Sequence, residues 1–237
     1  MTVRVNEYQQ PVGEAMEEWT SRPLPGRVVL SGRFCRLEPL ESEKHFHDLW
    51  EAYGNAPDGR DWTYMFTGPF EDESQFRGHL NAAAASGDAV HFAVIDLKSN
   101  RAAGTLALMR IEPVHGVMEV GHVAFSPSLK RTPLSTEAHF LLMTYAFERL
   151  GYRRYEWKCD ALNAPSRKAA ERLGFSFEGV FRQALVYKGR TRDTAWFSII
   201  DSEWPAVRAG FERWLHAGNF DAHGQQIRSL SAVRNAF

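Results

Sequence analysis

A mixed α/β fold built on one sheet is predicted by three observations on the 237-residue chain. Short runs with period-two alternation are interleaved with stretches of helical periodicity from residue 33 onward. Three consecutive runs between residues 90 and 125 are joined by turns too short for a crossover, which makes them antiparallel neighbours. The segment 118–160 instead reads strand, long helix, strand, the arrangement that produces a parallel pair.

Residues 1–31 are polar and broken by Pro11, Gly13, Pro23, Pro25 and Gly26. They read as an N-terminal extension draped over the domain, with one helical turn around 14–19. Phe34, Arg36 and Glu38 alternate with Cys35 and Leu37 as the first strand, which Pro39 ends. Helices follow at 45–53, with His45 and His47 as solvated side chains, and at 73–85. The loop between them, NAPDGRDWTYMFTGPF, is unusually aromatic for a connection. Strands at 90–96 and 103–111 flank the turn KSNR, and a third covers 118–125. Thr132-Pro133 is a helix start with proline at the first helical position, and Gly151 stops that helix after Leu150. Leu134, Ala138, Leu141, Leu142 and Tyr145 on one side and Phe140, Met143 and Phe147 on the other make it apolar all round, so its place is against the sheet. A strand at 155–159, a helix at 165–173 closed by Gly174, a hairpin 177–200 turning at Gly189 and an amphipathic helix at 202–215 complete the domain. The domain is thus expected to span 32–217, with 218–237 a polar, loose C-terminal tail.

With 44% apolar and 13% aromatic residues the chain is not a disordered one. Lys+Arg number 28 against 29 Asp+Glu, a balance without the long-range field of a general nucleic-acid binder. Cys35 and Cys159 form no C-x-x-C pair and have no zinc-site spacing, so neither a disulfide framework nor a metal is expected. The first residues lack the apolar core of a signal peptide, and no run of about twenty apolar residues exists. The expectation is a cytoplasmic protein without a membrane partner.

The segment LNAPSRKAAERLGFSFEG (162–179) changes the level of detail. Its spacing of Asn163, Ser166, Gly174, Phe175, Glu178 and Gly179 resembles the GCN5-related N-acetyltransferases, most of all their RimJ/RimL-like branch. The resemblance covers 32–204 and includes the order of elements. It implies a mostly antiparallel sheet flanked by helices, with a cofactor cleft between two splayed parallel strands. The implied activity is transfer of an acetyl group from acetyl-coenzyme A to a primary amine, either a protein N-terminus or a small-molecule amine. Relatives often pair, so a homodimer is left open. The family's pyrophosphate loop, Q/R-x-x-G-x-G/A before a helix, falls on Lys130, with Pro133 and Ser135 at its glycine positions. Such a loop aims backbone N–H groups at two phosphates. Pro133 removes one donor and Ser135 adds a side chain, while Lys130 and Arg131 supply charge.

What the resemblance implies for individual residues follows. Val123 and Phe125 on the strand, Lys130, Arg131, Thr132, Ser135 and Thr136 at the helix start, and Asn163 and Arg167 on the next helix would hold the cofactor. Backbone groups near Val123 would polarise the thioester carbonyl. Ser166 would protonate the departing thiolate, because the tyrosine used by other branches is Ala170 here. A glutamate found in some RimL-like members is Leu185, which leaves Glu119 as the substitute general base, with Asp160 and His122 behind it. Glu119 is expected to share a strand face with Gly121 and Val123. Helix capping alone also accounts for Asn163 and for Thr132. Trp62, Tyr64 and Phe66, with Phe70, either wall the acceptor site or form a satellite core. The alternative function is a non-catalytic acyl-coenzyme A sensor or partner-binding module on the same fold.

Overall fold

The computed structural model describes residues 4–234. Strands β1 (Arg4–Val5) and β2 (Pro11–Val12) pair only with each other. The main sheet holds β3 (Leu30–Ser31), β4 (Cys35–Pro39), β5 (Ala89–Asp96), β6 (Arg101–Glu112), β7 (Val117–Phe125), β8 (Arg154–Asp160), β9 (Ser176–Tyr187) and β10 (Arg190–Ile200). Their order is β3-β4-β5-β6-β7-β8-β10-β9, antiparallel except for the parallel β7–β8 pair. The mixed, mostly antiparallel sheet expected from the sequence is therefore present, and it starts at Leu30.

Helices cover both faces. In β5, Phe92 and Val94 point into the larger core while Ala93 and Ile95 point into the smaller one, the period-two alternation of a strand buried on both sides. The smaller core lies under α1 (Ser42–Gly54) and α2 (Glu73–Ala84). The larger lies under α3 (Pro133–Thr144), α4 (Ala164–Leu173), α5 (Trp204–Leu215) and α6 (Leu230–Arg234). Helix α3 continues as a π-helical turn over Tyr145–Arg149, and Gly151, at φ +70°, ends it.

A buried carboxylate fastens α3 to the sheet. Glu137 accepts the backbone N–H groups of Arg33, Phe34 and Cys35 at 2.8, 2.6 and 2.8 Å. A methyl group at Gly32 would sit 2.4 Å from its carboxyl carbon, so only glycine permits this approach.

Three local expectations are corrected. Residues 218–234 of the expected tail are not loose, while 235–237 lie outside the described residues: Leu230 and Val233, three apart on α6, are buried, Phe220 packs on Phe34 and Trp214, and Arg234 donates to the carbonyls of Glu171 and Arg172. Three apolar side chains within a polar stretch suffice to dock it. Around 14–19 there is a turn, not a helix, because Trp19 is drawn out to donate its indole N–H to the carbonyl of Val114. His45 is buried, its Nδ1 accepting the Glu41 N–H at 3.1 Å, while His47 is exposed as expected. Among the described residues no helix is long and apolar enough to cross a membrane.

Candidate active site

The parallel strands β7 and β8 pair only from Val117↔Arg154 to Val120↔Trp157. Beyond that point both continue without pairing each other, β7 to Phe125 and β8 to Asp160, and the edge of β7 facing β8 is left open. On its other edge β7 contains a bulge. Its register with β6 shifts between Ala107↔Gly121 and Thr105↔Ala124, and His122 takes φ +49°. A bulge of this kind inserts one residue, bends the strand and re-aims the side chains that follow. Met118 and Val120 point into the larger core, and after the bulge so do Val123 and Phe125. Glu119 therefore does not share a face with Val123, which corrects the expectation from simple alternation.

At the foot of this opening lies the start of α3. Thr132 is its N-cap, accepting the Ser135 N–H through Oγ1, and Ser135 Oγ donates to the carbonyl of Thr132 at 2.8 Å. Pro133 occupies the first helical position without an N–H, so the free backbone donor of this turn is that of Leu134. Arg131 is exposed with φ +61°, and Lys130 is ion-paired to Asp61 at 2.5 Å. Val123, Ala124, Phe125 and Lys130, with Tyr53, Asp61 and Trp62 across from them, line a cavity of about 40 Å³. Thr136 does not face it: the side chain is buried and its hydroxyl accepts from Arg172 at 3.0 Å, turned away by one helical step. An open strand edge ending at a helix N-terminus with two cations has the donor set for an extended, amide-bearing anion.

Across the opening, α4 starts at Asn163, whose Oδ1 accepts the Ser166 N–H while its amide N–H₂ is left to donate elsewhere. Ser166 Oγ accepts the indole N–H of Trp157 at 3.0 Å, and burial raises the pKa of the nearby Cys159 thiol, with Ser166 lowering it in part. A hydroxyl has one donor and two acceptor positions, so accepting from Trp157 leaves its proton free to donate. Arg167 donates to the carbonyl of Ala161 and stands over the ring of Phe177.

Glu119 is buried between Arg110 at 3.1 Å and Lys158 at 3.0 Å, and Lys158 also reaches Glu156 at 2.7 Å. Burial pushes its pKa up and Lys158 and Arg110 pull it back. A carboxylate held by two cations is a poor proton acceptor unless one of them moves.

The aromatic loop closes over the opening, tied to it at several points. Lys188 Nζ, at the β9–β10 turn, donates to the carbonyls of Trp62, Thr67 and Gly68 at 2.8, 3.2 and 2.6 Å, and Arg190 donates to that of Thr63. Tyr64 donates to the carbonyl of Leu162, and Phe66, 54% exposed, packs on Tyr187. Tyr187 in turn donates to the buried Asp160 at 2.7 Å. Trp62 meets Tyr53 and Phe70 edge-on, with Phe76 behind them, and also lines the cavity beside Val123. It is both satellite core and wall. Half-buried as it is, Trp62→Ala is expected to cost about 1–3 kcal/mol, below the roughly 3–5 kcal/mol of a fully buried aromatic. Urea unfolding checks this, and a loss above 3 kcal/mol would make the ring purely core. Asp61, Tyr53 and Lys188 were not legible as site residues, since their partners lie far along the chain and no local motif marks them.

The family model described as acetyltransferase (GNAT) domain matches residues 35–176. The chain belongs to the GNAT acetyltransferases. This acetyltransferase is similar to the crystal structure of a GCN5-related N-acetyltransferase from Brucella melitensis, with a TM-score of 0.91 and 48% identity, covering 93% of this chain and 100% of that one. It is 31% identical over 148 residues, 60% of its own length and 80% of the relative's, to the N-acetyltransferase p20 of Bacillus licheniformis. It shares its fold with RimL, a ribosomal L7/L12 alpha-N-protein acetyltransferase, at a TM-score of 0.62 and 21% identity, over 73% of this chain and 94% of that one.

Proposed function

We propose that this GNAT acetyltransferase takes its acetyl group from acetyl-coenzyme A and gives it to a primary amine, either a peptide N-terminus or a small-molecule amine. The carrying observation is the opening between β7 and β8, with the α3 N-terminus at its foot and the Ser166 hydroxyl on its far wall. The open backbone edge Val123–Phe125 would hold the amide-bearing arm, and Asn163 would donate to it through its free amide. Leu134 N–H, Lys130 and Arg131 would hold the phosphates. The thioester supplies an activated acyl carbon. The Val123 backbone would polarise its carbonyl, Ser166 would protonate the departing sulfur, and the 55–70 loop would exclude water above it.

The test is thiol release from acetyl-coenzyme A with a panel of short peptides bearing free α-amino groups, spermidine and an aminoglycoside. Ser166→Ala is expected to lower kcat by roughly ten- to a thousandfold, the range of a general acid, with coenzyme A binding retained. Binding without turnover on any amine supports the sensor reading instead. That reading draws on Pro133, and on Lys130 being engaged by Asp61.

A further inference from the structure

Beneath the aromatic loop, three histidines from three different elements surround one small cavity. His79 comes from α2, His91 from β5 and His122 from the bulge of β7. The cavity is about 10 Å³, room for roughly one water molecule, and its other walls include Leu40, Phe76 and Leu80. The rings of His91 and His122 have centroids 5.0 Å apart. Packing alone does not call for three titratable rings against an apolar wall, because each imidazole there must be desolvated.

Resting on the acetyl-transfer reading, we propose that His122 takes the proton of the attacking amine and that His91 and His79 pass it to solvent.

Position is the first support. His122 immediately precedes Val123, whose backbone lines the cofactor opening, and the φ +49° of the bulge sets its imidazole beside His91. Tyr53, Trp62 and Ala124 line both the histidine cavity and the cavity at the cofactor opening, so the two are separated by a wall one side chain thick. The second support is access. His122 is exposed, so an amine can reach it, and the buried His91, 8% exposed, and the half-buried His79 on α2 share its cavity.

The third support is protonation state. Desolvation first, then His122 for His79 and His91 and Arg110 for His122, hold all three below the usual imidazole value, His91 at about 4. The charged groups acting on the trio are Arg110 on β6 and Arg27 before β3, and the titratable neighbour from α1 is the Tyr53 phenol, which donates to the carbonyl of Ala124 at 2.9 Å. All three rings are thus neutral and able to accept a proton at pH 7. Glu119, by contrast, is held by two cations. A metal site is not the better reading of the cluster: among the described residues no three His, Cys, Asp or Glu side chains are disposed to hold a metal ion.

The step balances without a further reactant. The amine lone pair forms the C–N bond to the thioester carbonyl carbon, and the N–H bond breaks toward the free imidazole nitrogen of His122. The C–S bond breaks, the sulfur takes the Ser166 proton, and Ser166 regains a proton from solvent, into which the histidines release the one taken from the amine.

His122→Asn is the variant of choice, because asparagine tolerates positive φ and cannot serve as a base near pH 7. With the best amine of the thiol-release panel, kcat is expected to fall by about 10²–10³-fold, with the thermal shift given by coenzyme A unchanged. In wild type, kcat/KM should show an acid limb set by the histidines. In His122→Asn that inflection should vanish, leaving a rate that rises about tenfold per pH unit with the free amine. His79→Gln should lower kcat about three- to tenfold and displace the inflection. A His122→Asn enzyme within threefold of wild type and with the same pH profile overturns the proposal, and an unchanged His79→Gln profile overturns the relay. Wild type that turns over no amine overturns the acetyl-transfer reading itself, and this proposal with it, a result distinct from turnover that ignores His122.

Discussion

Glu137→Ala is expected to destabilise the fold by about 3–6 kcal/mol, against a total of roughly 5–15 kcal/mol for a typical domain. The carboxylate accepts three backbone N–H groups at the entry to β4, and its own side chain is buried. Removing it orphans three donors at about 1–3 kcal/mol each, partly relieved where water can enter the space left behind. Glu137→Gln should fall between wild type and alanine, since it keeps one acceptor oxygen but turns an N–H₂ toward a donor. Urea midpoints with an unchanged m-value would show the loss as stability alone. A shift below 1 kcal/mol for alanine would mean that these amides find other acceptors.

Lowering the pH from 7 to 5 is expected to cost about 4 kcal/mol through two histidines, which corresponds to roughly 8–16 °C in Tm for a chain of this size. Burial holds His139 at about 3, with Arg172 adding to it, and its ring is packed between Phe125 and Trp157. His91 is held at about 4 in the same manner. Because both folded pKa values lie below the unfolded one, the unfolded chain binds the protons more readily. The stability is complete above about pH 6.5 and is lost as the pH falls toward 4 and 3. At pH 5 each group contributes about 2 kcal/mol of that loss. Glu119 acts in the opposite sense, its pKa being pushed up by burial, and softens the slope at the acid end. His139→Phe should remove about half of the loss between pH 7 and 5. An unchanged slope in that variant would place the acid sensitivity elsewhere.

The sheet was legible because its signals are local. Alternation in β5 and β6, the KSNR turn, Thr132-Pro133 and the Asn163 to Gly174 frame each occupy a few adjacent residues. The same frame carried the family resemblance and with it Asn163 and Ser166. What escaped reading depends on residues far apart. Glu137 looks like one charge on an apolar helix until the amides of 33–35 arrive beneath it. The bulge at His122 is a one-residue shift in pairing with β6 whose only local sign is the adjacent Gly121, and simple alternation placed Glu119 and Val123 together. α6 is five residues long within a polar stretch, too short for periodicity to register.

The Lys188 clamp on the aromatic loop has a consequence for how acceptor preference can diversify. All three of its contacts, and that of Arg190, are to main-chain oxygens, which every amino acid supplies. Substitutions at Tyr64, Met65 or Phe66 therefore leave the tether intact while redrawing the surface that, on the proposed function, would meet an incoming amine. A loop anchored through its backbone can change sequence one residue at a time without losing that tether. On the proposed function, descendants of one such enzyme would differ in the amines they accept while keeping the same hairpin, the same cleft and the same donor.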